Sequence, residues 1–257
     1  MPQPMNLMDY PFVVAALSFA LLWLSALIGA SFRRRRKLRE DDREDFNLVI
    51  AATLTLLGLI IGFSFSMAVS RYDLRKNYEE EEANAIGTEY VRADLLPAAD
   101  AERIRLQLRQ YLDERVMFYR TRDSRELQRV NVLTSQLQTD LWNSVKSPAE
   151  AKPTQVVALA VSGMNDVLNS QGYTQAAWWN RIPIAAWGLM VAIAFCCNLL
   201  IGYGALLAEA KSVRLIVLPL VVSISFLLIA DIDSPRSGII HVNPQNLLSL
   251  AQSMNPH

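Results

Sequence analysis

The chain has 257 residues, a hydrophobic fraction of 52%, and 25 basic residues balanced by 25 acidic ones. A zero net charge gives no support to nucleic-acid binding, which usually needs a basic surface, and a mean hydropathy of +0.18 favours a membrane protein. The two cysteines, Cys196 and Cys197, are adjacent in an apolar run. They are interpreted as small hydrophobic residues rather than as a disulfide or metal ligands.

Four apolar stretches are predicted to cross a bilayer as helices. Residues 11–32, 46–70 and 182–208 carry no charged side chain, and each exceeds the roughly 20 residues that a hydrocarbon core requires. The fourth stretch, residues 215–230, is shorter, so the polar residues at its ends are expected near the apolar boundary. A cleaved signal peptide is disfavoured because no basic region precedes the first span.

Basic residues flank these spans unevenly. The connection SFRRRRKLREDDRED contains four consecutive arginines, and the other short connection adds Lys211 and Arg214 on the same side. Because short loops rich in Lys and Arg stay in the cytoplasm, both termini and the segment between the second and third spans are predicted to be extracytoplasmic, in a multi-pass protein of the cell (inner) membrane. A nuclear-localisation or nucleic-acid role for the arginines is the weaker interpretation, since their position between spans explains them.

The segment between the second and third spans has a helical period. Apolar residues recur at intervals of three and four up to Tyr119, and the pattern resumes from Leu127. A break is predicted at RDSRE, where Asp123 and Glu126 have the spacing of a capping box. The segment is predicted to be the core of a helical bundle, with a coiled-coil surface for a partner protein as the alternative.

Helix ends in this segment are predicted from prolines, caps and a glycine. The two prolines of KSPAEAKP are expected to end a helix near Val145. Thr154 is expected to cap a helix that reaches Asn169, and SQGY is expected to form the turn that follows.

These elements predict an all-α polytopic membrane protein with four transmembrane helices and a helical domain between the second and third. Four regions follow: residues 1–70 hold the first two spans and the basic cytoplasmic loop, 71–181 the helical extramembrane domain, and 182–233 the last two spans. Residues 234–257 form a tail with a short amphipathic helix, which is expected to dock on the helical domain, a neighbouring subunit or the membrane interface.

Small residues recur at every fourth position of the second span and so share one helix face. The simpler interpretation is close packing against another helix. The alternative is that this face lines a narrow path in an oligomer, with an aromatic residue as a constriction. The pore-lining candidates are Thr55, Gly58, Gly62, Phe63, Ser66 and Ser70.

The second span has no helix breaker between Ser70 and Gly87, so the helix is predicted to continue out of the membrane. Charged residues follow where this helix leaves the membrane. The candidates for charges at the mouth of a pore lined by the second span are Arg71, Arg75, Glu79 and Glu82. One interpretation is a solvated helix with charge pairs such as Arg75 with Glu79. A divalent-cation site is disfavoured because helical spacing disperses consecutive glutamates around the axis, and no metal site is predicted.

The ends of three spans must share one face of the membrane, which brings basic and acidic residues to one depth. An unpaired charge near hydrocarbon is costly, so at least one aspartate is predicted to pair with an arginine. The candidates for this pairing are Arg71, Arg75, Arg181, Asp231 and Asp233.

An enzyme is the least favoured class. The sequence has two histidines, His241 and His257, and shows no glycine-rich phosphate loop, nucleophile elbow or metal-ligand cluster. No cofactor is predicted. The classes that stay open are an ion channel and a membrane-anchored sensor or scaffold whose helical domain binds a ligand or a partner protein.

Four motifs resemble the bacterial bestrophin-like domain family, which is named for its kinship to bestrophin anion channels. They are LLGLIIGFSFSMAVSRYDLR with EANAIGTEYVRADLLP after it, NRIP at the third span and DIDSPRSGIIHV at the end of the fourth. The resemblance covers about residues 48–248, and MNDVLNSQGYTQAA departs from it.

The resemblance implies a homo-oligomer, a pentamer by analogy with bestrophins, that conducts inorganic ions and favours anions. It also implies that the second span lines the pore. Two features differ from bestrophins. Their helical part is cytoplasmic, whereas the arginines predict the opposite side for this chain, and no acidic calcium clasp is present.

Overall fold

The computed structural model describes residues 7–35, 43–204 and 214–254, and these residues contain helices and no strand. The all-α fold class and the four membrane-spanning helices are therefore confirmed. Most of the two basic connections lies outside the described residues. The helices are α1 Pro11–Arg35, α2 Arg43–Arg92, α3 Ala98–Arg120, α4 Ser124–Ala151, α5 Gln155–Trp179, α6 Ile184–Gly204, α7 Arg214–Asp233 and α8 Gln245–Met254.

The contacts divide the chain into two units, each with its own interior. The membrane unit contains Met5–Arg71 and Arg181–His241. The helical unit is formed mainly by Tyr72–Asn180 and Val242–His257. Helix α2 contributes residues to both, because it continues past Ser70 without a break, as predicted, and also passes through Gly87.

In the membrane unit α1 packs against α6 and α7. The α1–α6 contact is close because two glycines face the opposite backbone. A Cβ atom at Gly29 would overlap the carbonyl oxygen of Leu199, and one at Gly202 would overlap that of Ala26. Ser25 adds a hydrogen bond from its Oγ to the Phe195 carbonyl at 2.7 Å. Small residues allow this approach in a membrane, where hydrophobic burial does not drive helices together.

The helical unit has a continuous apolar core. Leu108 and Tyr111 of α3 and Leu141 of α4 are buried there with residues of α5 and α8. Three aromatic rings, those of Phe118, Tyr119 and Trp178, meet edge to face with centroids 4.9 to 5.5 Å apart. Such pairs add to the stabilisation that comes from burying the rings.

The break between α3 and α4 lies where the sequence predicts it. Asp123 caps α4, because its Oδ1 accepts from the backbone N–H of Arg125 at 2.9 Å. Glu126 does not complete the capping box and instead accepts from Arg129. In the tail, α8 buries Leu247 and Met254 in the core of the helical unit.

Two predicted helix ends are wrong. Helix α4 passes through Pro148 and ends at Ala151, next to the Lys152–Pro153 pair that excludes helical backbone. Helix α5 begins after Thr154, whose Oγ1 accepts from Val157 N at 3.2 Å, but it continues through Gly172 to Trp179. One glycine costs a helix about 1 kcal/mol. Burial of Thr174 and Trp178 on the next turns outweighs that cost.

Candidate functional site

The small-residue stripe of α2, defined as Gly58, Gly62, Ser66 and Ser70, is exposed along its whole length in the subunit. A Cβ atom added at Gly58 or Gly62 would meet no atom within 4 Å. Thr55 is exposed as well, and Phe63 is 63% exposed. The close packing that was the simpler interpretation of the stripe therefore does not occur within the described part of one subunit.

The opposite side of α2 is the side that the membrane unit buries. Leu57, Ser64 and Ala68 are buried, and their spacing of seven and four residues places them on one face. At 3.6 residues per turn, Ser66 points almost directly away from that face. Only 11% of the apolar stretch of α2 is buried, against 33%, 28% and 50% for the other three spans.

The charges that follow the stripe are mostly interior. Arg71 is half-buried. Arg75 is 1% exposed, and its guanidinium donates to the carbonyl oxygens of Ala177 at 3.3 Å and Asn180 at 3.4 Å. Arg75 thus satisfies carbonyl groups at the C-terminal end of α5, where a cation also complements the helix dipole.

Glu79 holds the N-terminus of α8. Its Oε1 accepts from the backbone N–H of Leu247 at 3.0 Å, and its Oε2 accepts from the side-chain amide of Asn246 at 2.7 Å. The carboxylate therefore satisfies one of the free N–H groups of that helix and complements the positive end of its dipole.

Glu82 is the centre of a buried network. Its carboxylate accepts from the guanidinium of Arg115, from the Tyr119 hydroxyl at 3.3 Å and from Thr174 Oγ1 at 3.2 Å. The guanidinium of Arg115 also lies 4.4 Å from the centroid of the Phe118 ring. Three helices, α2, α3 and α5, are joined by these contacts.

The ionisation of this network follows from its burial. Burial alone disfavours the Arg115 cation, but the charge and hydrogen bond of Glu82 reverse that effect and hold the pKa of Arg115 above its ordinary value. Burial, with a smaller contribution from Glu82, raises the pKa of the Tyr119 phenol. Arg115 is therefore cationic, and Tyr119 is neutral and acts as a donor.

These contacts divide the EEEE sequence by helix face. Glu79 and Glu82 are buried in the helical unit, whereas Glu80 and Glu81 are exposed. Arg75, Glu79 and Glu82 thus contribute to the interior of the helical unit rather than to a free mouth. Among the four predicted mouth charges, Arg71 is the one that keeps an exposed fraction.

The two aspartates at the end of the fourth span accept hydrogen bonds from backbone N–H groups. Asp233 accepts from the N–H of Ile182 at 3.1 and 3.2 Å. Asp231 accepts from the N–H groups of Ile239 and Ile240, both at 2.8 Å. Gly238 makes this loop possible, because it has a φ of 99° and because a Cβ atom there would overlap Asp231 Oδ1.

The arginine of the third span has a partner that the sequence did not indicate. Arg181 forms an ion pair with Asp9, which lies in the turn Leu7–Asp9 before α1. Asp9 was missed because nothing in the sequence places that turn beside the third span. The predicted pairing of an arginine with Asp231 or Asp233 stays a prediction.

A metal centre finds no support in the described part of the chain, where no group of three or more His, Cys, Asp or Glu side chains converges. Sequence reasoning also missed Arg115, Thr174 and Asn246, which complete the contacts of the two buried glutamates. Their separation from α2 in the chain leaves no local pattern that could have revealed them.

Four apolar spanning helices with an intervening helical unit define an all-α, multi-pass membrane protein. The sequence matches the Bestrophin-like domain over residues 15–247, so the chain belongs to this family and the resemblance is confirmed. A comparison with curated proteins finds no match.

Solved structures share the fold. A bacterial Bestrophin homolog from Klebsiella pneumoniae is similar over 94% of this chain and 98% of its own, with 16% identity and a TM-score of 0.64. A mutant form of that homolog is similar over 95% and 94%, with 16% identity and a TM-score of 0.63. These TM-scores establish a likeness of fold, and at an identity of 16% the similarity shows the fold alone.

Proposed function

We propose that this protein is an oligomeric ion channel of the bacterial membrane in which α2 lines the pore. One observation carries the proposal: the stripe of glycine and serine on α2 is exposed in the subunit, on the span with the smallest buried share. A helix whose outer face is lined by small and hydroxyl-bearing residues leaves room for water or an ion between several copies.

Oligomerisation is part of this proposal because a single α2 cannot enclose a path. Copies arranged around an axis would turn Ser66 inwards and keep Leu57 and Ala68 against their own subunits. Phe63, at the flank of the stripe, would supply a hydrophobic constriction. Membership of the Bestrophin-like family supports a homo-oligomer, and a pentamer follows by analogy with bestrophins.

Anions are the favoured ions. Carboxylates at the mouth of a pore would favour cations, but Glu79 and Glu82 are both buried and hydrogen-bonded inside the helical unit. Arg71 directly follows the stripe and keeps an exposed fraction. A ring of one arginine per subunit at the end of a narrow path would favour anions.

The test is ion flux from liposomes that contain the purified protein, with chloride compared to potassium. Gly62→Leu and Ser66→Leu are expected to reduce chloride flux at least tenfold, because they fill the proposed path. Gly188→Leu is the matched control, since Gly188 is an exposed glycine on α6 with no atom within 4 Å of its Cβ position.

The same assay separates the two classes that the sequence left open. Flux that persists in both α2 variants would show that α2 does not line the pore. An intact protein that passes neither ion across a range of pH, calcium and voltage would favour the membrane-anchored sensor or scaffold.

A further inference from the structure

Glu89 is a third glutamate on the buried face of α2, and it differs from the other two. It lies within the helical unit and is 0% exposed. Neither of its carboxylate oxygens has a hydrogen-bond partner. A buried polar group without a partner is destabilising, and a buried carboxylate without one is more so.

A notch in α5 accommodates this side chain. A Cβ atom at Gly163 would overlap Glu89 Oε2 and would lie 2.6 Å from Arg92 Nη1. Arg92 itself reaches across to the carbonyl oxygen of Leu159 at 3.5 Å. Because Gly163 has no side chain, the carboxyl group of Glu89 packs directly against the backbone of α5.

The charges that face Glu89 leave its ionised form poorly compensated. Arg92 on the same helix favours the carboxylate, whereas Asp166 on α5 opposes it. The dominant effect is burial, and the net result raises the pKa of Glu89 to about 8. The group is therefore mostly protonated at neutral pH.

We propose that Glu89 is a proton-binding site that couples the packing of α5 on α2 to pH. The neutral carboxyl group fits the Gly163 notch, and loss of its proton places a poorly compensated negative charge between the two helices. The chemical ligand is the proton, and the responding element is the N-terminal half of α5.

The direction of the effect follows from linkage. The carboxyl pKa is about 8 in the folded protein and 4.5 for the ordinary group, so the folded state binds the proton more tightly. The stabilisation of the folded state by the protonated Glu89 is fully present below the ordinary carboxyl pKa of 4.5 and is lost as pH rises through about 8. Packing of α5 should thus loosen between pH 6 and pH 9.

The first experiment is an infrared difference spectrum of the full-length protein between pH 6 and pH 9.5. A protonated carboxyl group gives a carbonyl stretch that disappears on ionisation. We expect this band to titrate near pH 8 in the wild type and to be absent from the Glu89→Gln difference spectrum. A band that is missing from the wild type, or that persists unchanged in the variant, overturns the proposal.

The second experiment is hydrogen exchange of the α5 peptides over the same pH range, with α4 peptides as the internal reference for the intrinsic pH dependence. Wild-type α5 is expected to lose protection by at least tenfold relative to α4, whereas Glu89→Gln should keep its protection at both pH values. Glu81→Gln, an exposed glutamate on the same helix, is the control and should behave as wild type.

Both wild-type measurements remain decisive where Glu89→Gln does not fold. Equal protection of α5 at both pH values in the wild type would also count against the proposal. Any effect of this titration on ion flux rests on the proposed channel function, whereas the infrared and exchange results do not depend on it.

Discussion

Arg115 and Glu82 form an ion pair in which both side chains are 0% exposed. The pair links α3 to α2, and Thr174 on α5 donates to the same carboxylate. An ion pair in such a place is held by its hydrogen bonds rather than by a large net electrostatic gain, since desolvation of both ions offsets much of their attraction.

Breaking this pair should be strongly destabilising. Glu82→Gln leaves the Arg115 guanidinium buried without its counter-charge, and we expect a loss of about 3–5 kcal/mol in the free energy of unfolding. The measurement is denaturant-induced unfolding of the full-length protein, followed by the fluorescence of the tryptophans in the helical unit. The double variant Glu82→Leu with Arg115→Met should lose less than Glu82→Gln, and a larger loss would show that the pair is favourable by itself.

Glu79 should control the attachment of α8. Glu79→Ala removes the acceptor for Leu247 N–H and Asn246, so α8 is expected to become protease-sensitive, with about 1–2 kcal/mol of local stability lost. Limited proteolysis with mass spectrometry measures this directly. Glu80→Ala is the exposed control. Equal cleavage of both variants would mean that α8 is held by its apolar face alone.

The loop after the fourth span should depend on Gly238. Gly238→Ala is expected to lower the melting temperature, because alanine strains a positive φ and its Cβ displaces Asp231 from the amides of Ile239 and Ile240. Gly172→Ala, in the middle of α5 with open space around it, should leave stability unchanged or raise it by up to about 1 kcal/mol. Similar effects of the two variants would contradict the role of the loop.

Substitutions at two glycines of the membrane unit should affect different properties, stability for Gly202 and ion flux for Gly62. Gly202→Ala is expected to destabilise the protein by about 1–3 kcal/mol, because its methyl group overlaps the Ala26 backbone. Gly62→Ala should leave the monomer's stability unchanged and reduce flux. Thermal unfolding and liposome flux on the same preparations test both statements, and a Gly62→Ala protein with unchanged flux would weaken the pore assignment.

The helical unit is expected outside the cytoplasm. Gln136→Cys places a thiol at an exposed position of α4, in a background with Cys196 and Cys197 changed to alanine. A membrane-impermeant thiol reagent added to intact cells with a permeabilised outer membrane should label it. Labelling only after the inner membrane is broken would mean that the helical unit is cytoplasmic, which contradicts the predicted orientation and agrees with the topology of bestrophins.

The sequence by itself determined the features that depend on local pattern. Uncharged stretches long enough to cross a bilayer predicted four spans, because hydrocarbon excludes charge and sets a minimum length. The continuity of α2 past Ser70, the break at Asp123 and the capping role of Thr154 also followed from neighbouring residues alone.

Only the tertiary structure decided which side of each helix is covered. It separated Glu79 and Glu82 from their exposed neighbours, and it carried α5 through the predicted turn at Gly172 by burying Trp178. It also placed Gly29 and Gly202 in close helix contact and left Gly62 open, although all three lie in apolar helices. The physical reason is that burial and pairing depend on residues distant in the chain, whereas spans, caps and breaks are set within a few turns.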